Sequence, residues 1–142
     1  MFLACCHTII IDARKGTYNA ASPDELALVN AAKQFGYEFS DRDKNVNIII
    51  KDKRNKTSYK YKLLNVCEFT STRKRQSCIF RDPKGKIIIM CKGADAIIAD
   101  LLSRDSKVSQ VYLKTQKYVD EYAKTGLRTL FLAEKYLDEN TY

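Results

Sequence analysis

Three short stretches of this 142-residue chain carry side chains suited to holding a nucleotide. Phe69 precedes a polar and cationic run, Thr70-Ser71-Thr72-Arg73-Lys74-Arg75, which is a poor setting for a core aromatic continuing a strand. An exposed ring there offers a flat face to a base, a contact worth about 1 to 3 kcal/mol and tolerant of base identity. The alternative is packing at a strand end. Lys92-Gly93-Ala94-Asp95 follows an apolar run from Ile87 to Cys91. It places a cation next to two residues whose absent or small side chains let a ligand approach closely. Gly126-Leu127-Arg128-Thr129-Leu130 adds a separated arginine. An aromatic face with separated cations suits an adenine nucleotide. Lysine ammonium groups act as flexible point charges towards phosphate, and arginine can bind oxygens in bidentate fashion. Lys74, one of three consecutive cations, can equally be a solvated surface charge.

The elements that would position these residues follow from pattern and punctuation. Ala4 to Ile11 reads as a first strand, followed by a polar connection from Asp12 to Ala21. Ser22-Pro23-Asp24-Glu25 then opens a helix: Pro23 fits the first helical position, and the spacing of Ser22 and Glu25 is that of a capping box. That box alone accounts for Glu25. Gly36 supplies the stop. Tyr37 to Phe39, Val46 to Ile50 and Thr57 to Val66 read as strands of a meander, with Tyr59, Tyr61 and Leu63 alternating as on a half-exposed sheet. Ser77 to Arg81 and Lys86 to Cys91 flank Asp82-Pro83-Lys84-Gly85 and form a hairpin, which sets Lys92 at a strand end. Ala94 to Leu102 is a short helix. Val108 to Lys124 is a longer one, with Val111, Leu113, Tyr118, Val119 and Tyr122 as its apolar stripe. Gly126 stops it, and Leu127 to Ala133 is a last strand with Arg128 near its start. Strands in runs, without regular strand-helix alternation, predict an α+β fold: an antiparallel β-sheet flanked by helices.

Length and composition fit one folded domain, residues 1–142, with 45% hydrophobic and 30% charged residues. The longest apolar runs fall far short of the roughly 20 residues of a membrane helix. Cys5, Cys6, Cys67, Cys78 and Cys91 include no C-x-x-C pair, so neither a disulfide framework nor a zinc site is expected. His7, the only histidine, reads as structural. The net charge of +8 permits nucleic acid, anionic lipid or nucleotide phosphate as a partner and does not choose among them. Much of it lies in Lys51 to Lys62, read as a solvated hairpin, and no RNP-like motif is present. A basic nucleic-acid or polyanion-binding module is the rival reading. Neither a G-x-x-x-x-G-K-[ST] phosphate loop nor a G-x-G-x-x-G turn occurs.

Taken in order, Cys6-His7-Thr8, Ser22-Pro23-Asp24-Glu25, Phe69 with Arg73-Lys74-Arg75, Lys92-Gly93-Ala94-Asp95 and Gly126-Leu127-Arg128-Thr129-Leu130 resemble the nucleotide-binding domain of P-type ATPases, specifically the phospholipid-flippase branch. The resemblance implies ATP as ligand, with Phe69 stacking on adenine and Glu25 accepting from its amino group. It implies that Lys74, Lys92 and Arg128 approach phosphate or sugar, and that Gly93 gives clearance beside them. Two positions depart from the flippase pattern: Leu26 stands where glycine usually follows the glutamate, and Gln76 where R-K-R-M-S has methionine. No D-K-T-G segment and no magnesium-binding aspartates of the family occur. The expectation is therefore a domain of a larger multi-pass membrane ATPase, at the cytosolic face, with no catalytic residue and no metal ligand of its own. Its implied partners are ATP, the phosphorylation and actuator domains of the same protein, and, only through membrane helices, a phospholipid. Magnesium would be bound mainly by the other domains. The isolated domain is expected to be monomeric and not to bind nucleic acid.

Overall fold

The computed structural model describes residues 1–12 and 14–142. Ala13, within the connection read from Asp12 to Ala21, lies outside the described residues. The elements are α1 (Phe2–Cys5), β1 (Ile10–Asp12), β2 (Thr17–Asn19), α2 (Pro23–Gln34), β3 (Tyr37–Arg42), β4 (Asn47–Asp52), β5 (Thr57–Cys67), β6 (Arg75–Arg81), β7 (Ile87–Gly93), α3 (Asp95–Leu101), α4 (Arg104–Lys107), α5 (Gln110–Lys124) and β8 (Phe131–Leu137). β1 and β2 form a two-stranded ribbon, and β3 to β8 form one sheet in sequence order. This is the predicted α+β class built on an antiparallel sheet. The contacts divide the chain into two compact units. One holds Met1–Val66, Cys78–Ile89 and Lys135–Tyr142; the other holds Cys67–Ser77 and Met90–Glu134.

In the first unit, α2 begins at Pro23, whose ring presets the backbone angle of a first helical residue and whose missing N–H costs nothing there. Its hydroxyl cap does not form. Ser22 has the extended backbone of an N-cap, but its side chain accepts no hydrogen bond, and the Glu25 carboxylate is turned to Thr8 instead. This corrects the capping box. The opening segment also differs from the predicted strand, since Phe2–Cys5 is one helical turn and pairing starts only at Ile10. His7 explains the break: its Nε2 donates to the Ala4 carbonyl at 2.9 Å and its Nδ1 accepts from the Ile9 amide at 3.1 Å. The neutral ring stitches the helical turn to the strand and lies edge-on to Phe39 at 4.5 Å, the structural role expected of it.

β3 and β4 pair with a bulge between Phe39 and Asp41, and β4 and β5 pair from Asn47–Lys62 to Asp52–Thr57. Ile48 and Ile50 face inward with Phe39, and Ile49 is less buried, the alternation of a one-sided sheet. The cationic stretch from Lys51 to Lys62 is the β4–β5 hairpin. Lys53 pairs with Glu38 at 3.0 Å, Lys60 pairs with Asp43 at 3.2 Å, and Arg54 lies over the Tyr37 ring.

In the second unit, Ile98 of α3, Val119 of α5 and Phe131 of β8 form a small core against which Cys91, Ala99, Tyr112 and Ala133 pack. The helix read from Val108 to Lys124 is α5, which starts two residues later at Gln110, and a separate short turn, α4, precedes it. Ser103 caps α4 by accepting from the Ser106 amide, and Ser109 caps α5 by accepting from Tyr112. The stripe predicted for α5 is also misplaced. Only Val119 is buried, while Val111, Leu113, Tyr118 and Tyr122 are exposed. The last strand starts later than expected, at Phe131, so Arg128 lies in the connection between α5 and β8 rather than at a strand start.

Candidate nucleotide site

The hydrogen bonds of the β5–β6 connection explain how Phe69 is presented. The Lys74 amide donates to the Thr70 carbonyl at 2.8 Å and the Arg73 amide to the Thr70 hydroxyl at 3.1 Å, closing a tight loop. The Arg73 guanidinium reaches back to the Glu68 carbonyl at 2.7 Å, and Arg75 donates to the Arg73 carbonyl at 3.1 Å. Closure puts Lys74 in the left-handed region, φ 50°. Phe69 is left 60% exposed, an aromatic face turned to solvent as base stacking requires. Core packing at a strand end is thereby set aside.

Lys92 and Gly93 end β7 beside this loop. Ser77 Oγ lies 3.2 Å from Cys91 Sγ, and a Cβ built on Gly93 would fall 2.8 Å from Arg75 Cα, so Gln76 and Lys92, between those contacts, face each other across neighbouring strands. Both are buried, at 6% and 7% exposure. The same Cβ would stand 2.5 Å from the Lys74 carbonyl, which itself accepts from the Ala94 amide at 3.1 Å. The space that a side chain would fill at Gly93 is thus taken by the Lys74–Arg75 backbone. This differs from the clearance for a ligand expected there. It locks Lys74 to the Lys92-Gly93-Ala94 turn.

Arg128 is exposed three residues before Phe131, and Lys92 follows Cys91, so both cations are tethered to the core around Ile98. Phe69, Lys74, Lys92, Gly93 and Arg128 all belong to the second unit. Within it the structure directly joins Lys74 to Gly93 and Ala94. Gln76 was singled out in the sequence only as a departure from methionine; its place opposite Lys92 depends on strand register, which spacing alone did not reveal.

Glu25 belongs to the first unit. It is 7% exposed, with Oε1 accepting from the Thr8 amide at 3.2 Å and Oε2 from the Thr8 hydroxyl at 2.9 Å. The opening Cys6-His7-Thr8 and the segment at Ser22 are therefore one constellation, a link that sequence order did not disclose.

Residues 2–142 match the family described as P-type ATPase, cytoplasmic domain N. The chain is 46% identical over 99% of its length to a probable phospholipid-transporting ATPase 7 of Arabidopsis thaliana, of which it covers 12%. It is 43% identical over the same share to the phospholipid-transporting ATPase DRS2 of Saccharomyces cerevisiae, of which it covers 10%. The chain belongs to the P-type ATPase cytoplasmic N-domain family. It spans about a tenth of the length of these curated relatives.

Proposed function

We propose that this domain binds ATP at the Phe69 loop and presents its terminal phosphate to an aspartate in another domain of a larger phospholipid-transporting P-type ATPase. The observation that carries the reading is the exposed Phe69 ring, held by a closed loop that is pinned through Lys74 to the Lys92-Gly93 turn. The ring takes the base. Burial separates the cations. Lys92, nearly covered, acts at short range where salt screens little, whereas Lys74 and Arg128 are exposed and carry the screened attraction to phosphate. Magnesium would come with the nucleotide and be held mainly by the other domains of that larger protein.

In the parent protein the domain contributes positioning for in-line phosphoryl transfer, at the cytosolic face of a membrane. The lipid specified by the relatives' names would be handled elsewhere in that protein. Affinity in isolation should be weak, roughly 0.1 to several millimolar or about 4 to 5.5 kcal/mol, because an open pocket must offset the ordering of a mobile ligand. A titration followed by amide chemical shifts should saturate with changes centred on Phe69, Lys92 and Arg128. Shifts confined to Lys51 to Lys62 would favour polyanion binding instead.

A further inference from the structure

We propose that Arg73 is a positioning residue for the base: it holds the residues on both sides of Phe69, through the Glu68 carbonyl and the Thr70 hydroxyl, and is not a phosphate ligand. The inference rests on the reading that Phe69 stacks on the nucleotide. By sequence, Arg73 is simply the first of three cations beside a nucleotide site. In the structure its polar groups are directed into the loop. The guanidinium donates to the Glu68 carbonyl at 2.7 Å and the amide donates to the Thr70 hydroxyl at 3.1 Å. Glu68 and Thr70 are the two neighbours of Phe69, so one residue holds both: the first by its peptide carbonyl, the second by its side-chain hydroxyl. Its carbonyl accepts from Arg75 at 3.1 Å, which carries the restraint on to β6.

The restraint matters because Phe69 has little else to hold it. A ring 60% exposed receives little packing, and a free loop would have to lose its backbone freedom when a base arrived. Closing the loop beforehand removes that cost from binding, and a charge-assisted bond to a carbonyl is a stronger clasp than a neutral one. Arg75 acts in support: its backbone abuts Gly93 and its guanidinium bonds to the clasp. Lys74 is the exposed member of the run.

The test is a double-mutant cycle on the 142-residue chain, with Arg73→Ala, Phe69→Ala and the pair titrated with adenosine and ATP at low and high salt. Arg73→Met, which keeps the apolar stem, is the second variant, and circular dichroism verifies folding. Arg73→Ala and Arg73→Met should weaken adenosine and ATP by the same factor, roughly 2- to 10-fold, the range that one immobilised side chain gives, at either salt concentration. In the Phe69→Ala background neither should weaken binding further. A loss confined to ATP and erased by salt would make Arg73 a phosphate ligand and overturn the proposal while leaving the site intact. So would unchanged affinities in both variants. If the unsubstituted chain saturates with neither ligand, or Phe69→Ala binds both as well as it does, the nucleotide reading falls and the proposal with it.

Discussion

At Gly93 the glycine is demanded by backbone, not by a ligand. A methyl group there would press 2.5 Å from the Lys74 carbonyl and 2.7 Å from Arg75 Cβ. Relief requires moving a strand end or reopening the Phe69 loop, so Gly93→Ala should cost about 2 kcal/mol, as overpacking does, read from the urea midpoint. The neighbouring Gln76 predicts the opposite sign. Its side chain is only 6% exposed, so Gln76→Met, which takes a polar amide out of a buried position, should raise stability by about 1 kcal/mol in the same assay. Phe69→Ala should weaken adenosine, ADP and ATP by similar factors, because stacking ignores phosphate number. Lys92→Ala should weaken ATP more than adenosine at any salt concentration, and Arg128→Ala should show that difference only at low salt. A calorimetric titration series of the three ligands separates these patterns. The sequence displayed the residue types of this site because Phe69, Lys92 and Arg128 lie in short recognisable strings. Their burial stayed hidden, since it depends on which strand lies beside which.

Among the elements, the β3–β4 turn shows the clearest electrostatic device. Asp43 accepts from the side chain and amide of Asn47 and from the Asn45 amide, and pairs with Lys60. Chiefly through the Asn47 side chain, its carboxyl is held at about 2, below its ordinary value of 3.8. A lowered pKa in the folded state means the stabilisation is complete above the ordinary value and is lost as pH falls through about 2. The urea midpoint should therefore decline between roughly pH 4 and pH 2, and Asp43→Asn should flatten that decline. α5 gives a second contrast. Val119→Ala should cost about 2 kcal/mol, whereas Val111→Lys, at a site 76% exposed, should stay within about 0.5 kcal/mol by thermal unfolding. Hairpins and helix stops were legible because Asp82-Pro83-Lys84-Gly85, Gly36 and Gly126 punctuate the chain locally. The face of α5 was not, because many of its positions are apolar and only tertiary contact selects Tyr112 and Val119. The α4 turn was available in principle from the two serines, Ser103 and Ser109, each followed three residues later by the amide it caps.

For the molecule as a whole, the family assignment and the positioning role proposed above predict binding without turnover. Incubated with ATP labelled at the γ-phosphate, the chain should gain no acid-stable label above a denatured control. Incorporation at any Asp or Glu would show chemistry that the proposed division between domains does not allow. The fold class was legible from strands in runs, whereas the division into two units was not, because it reflects contact density rather than sequence pattern.

Neither unit is an unbroken stretch of chain. The boundary falls between Val66 and Cys67, Ser77 and Cys78, Ile89 and Met90, and Glu134 and Lys135, and each of those junctions lies inside a strand. Truncation from either end therefore cannot release one unit intact: a fragment ending before Cys67 lacks two of the three segments of the first unit, and one starting at Met90 lacks the Phe69 loop. Anyone wishing to graft the Phe69 loop with its Lys92 turn onto another scaffold would have to transplant two separate segments in register, with Gly93 among them.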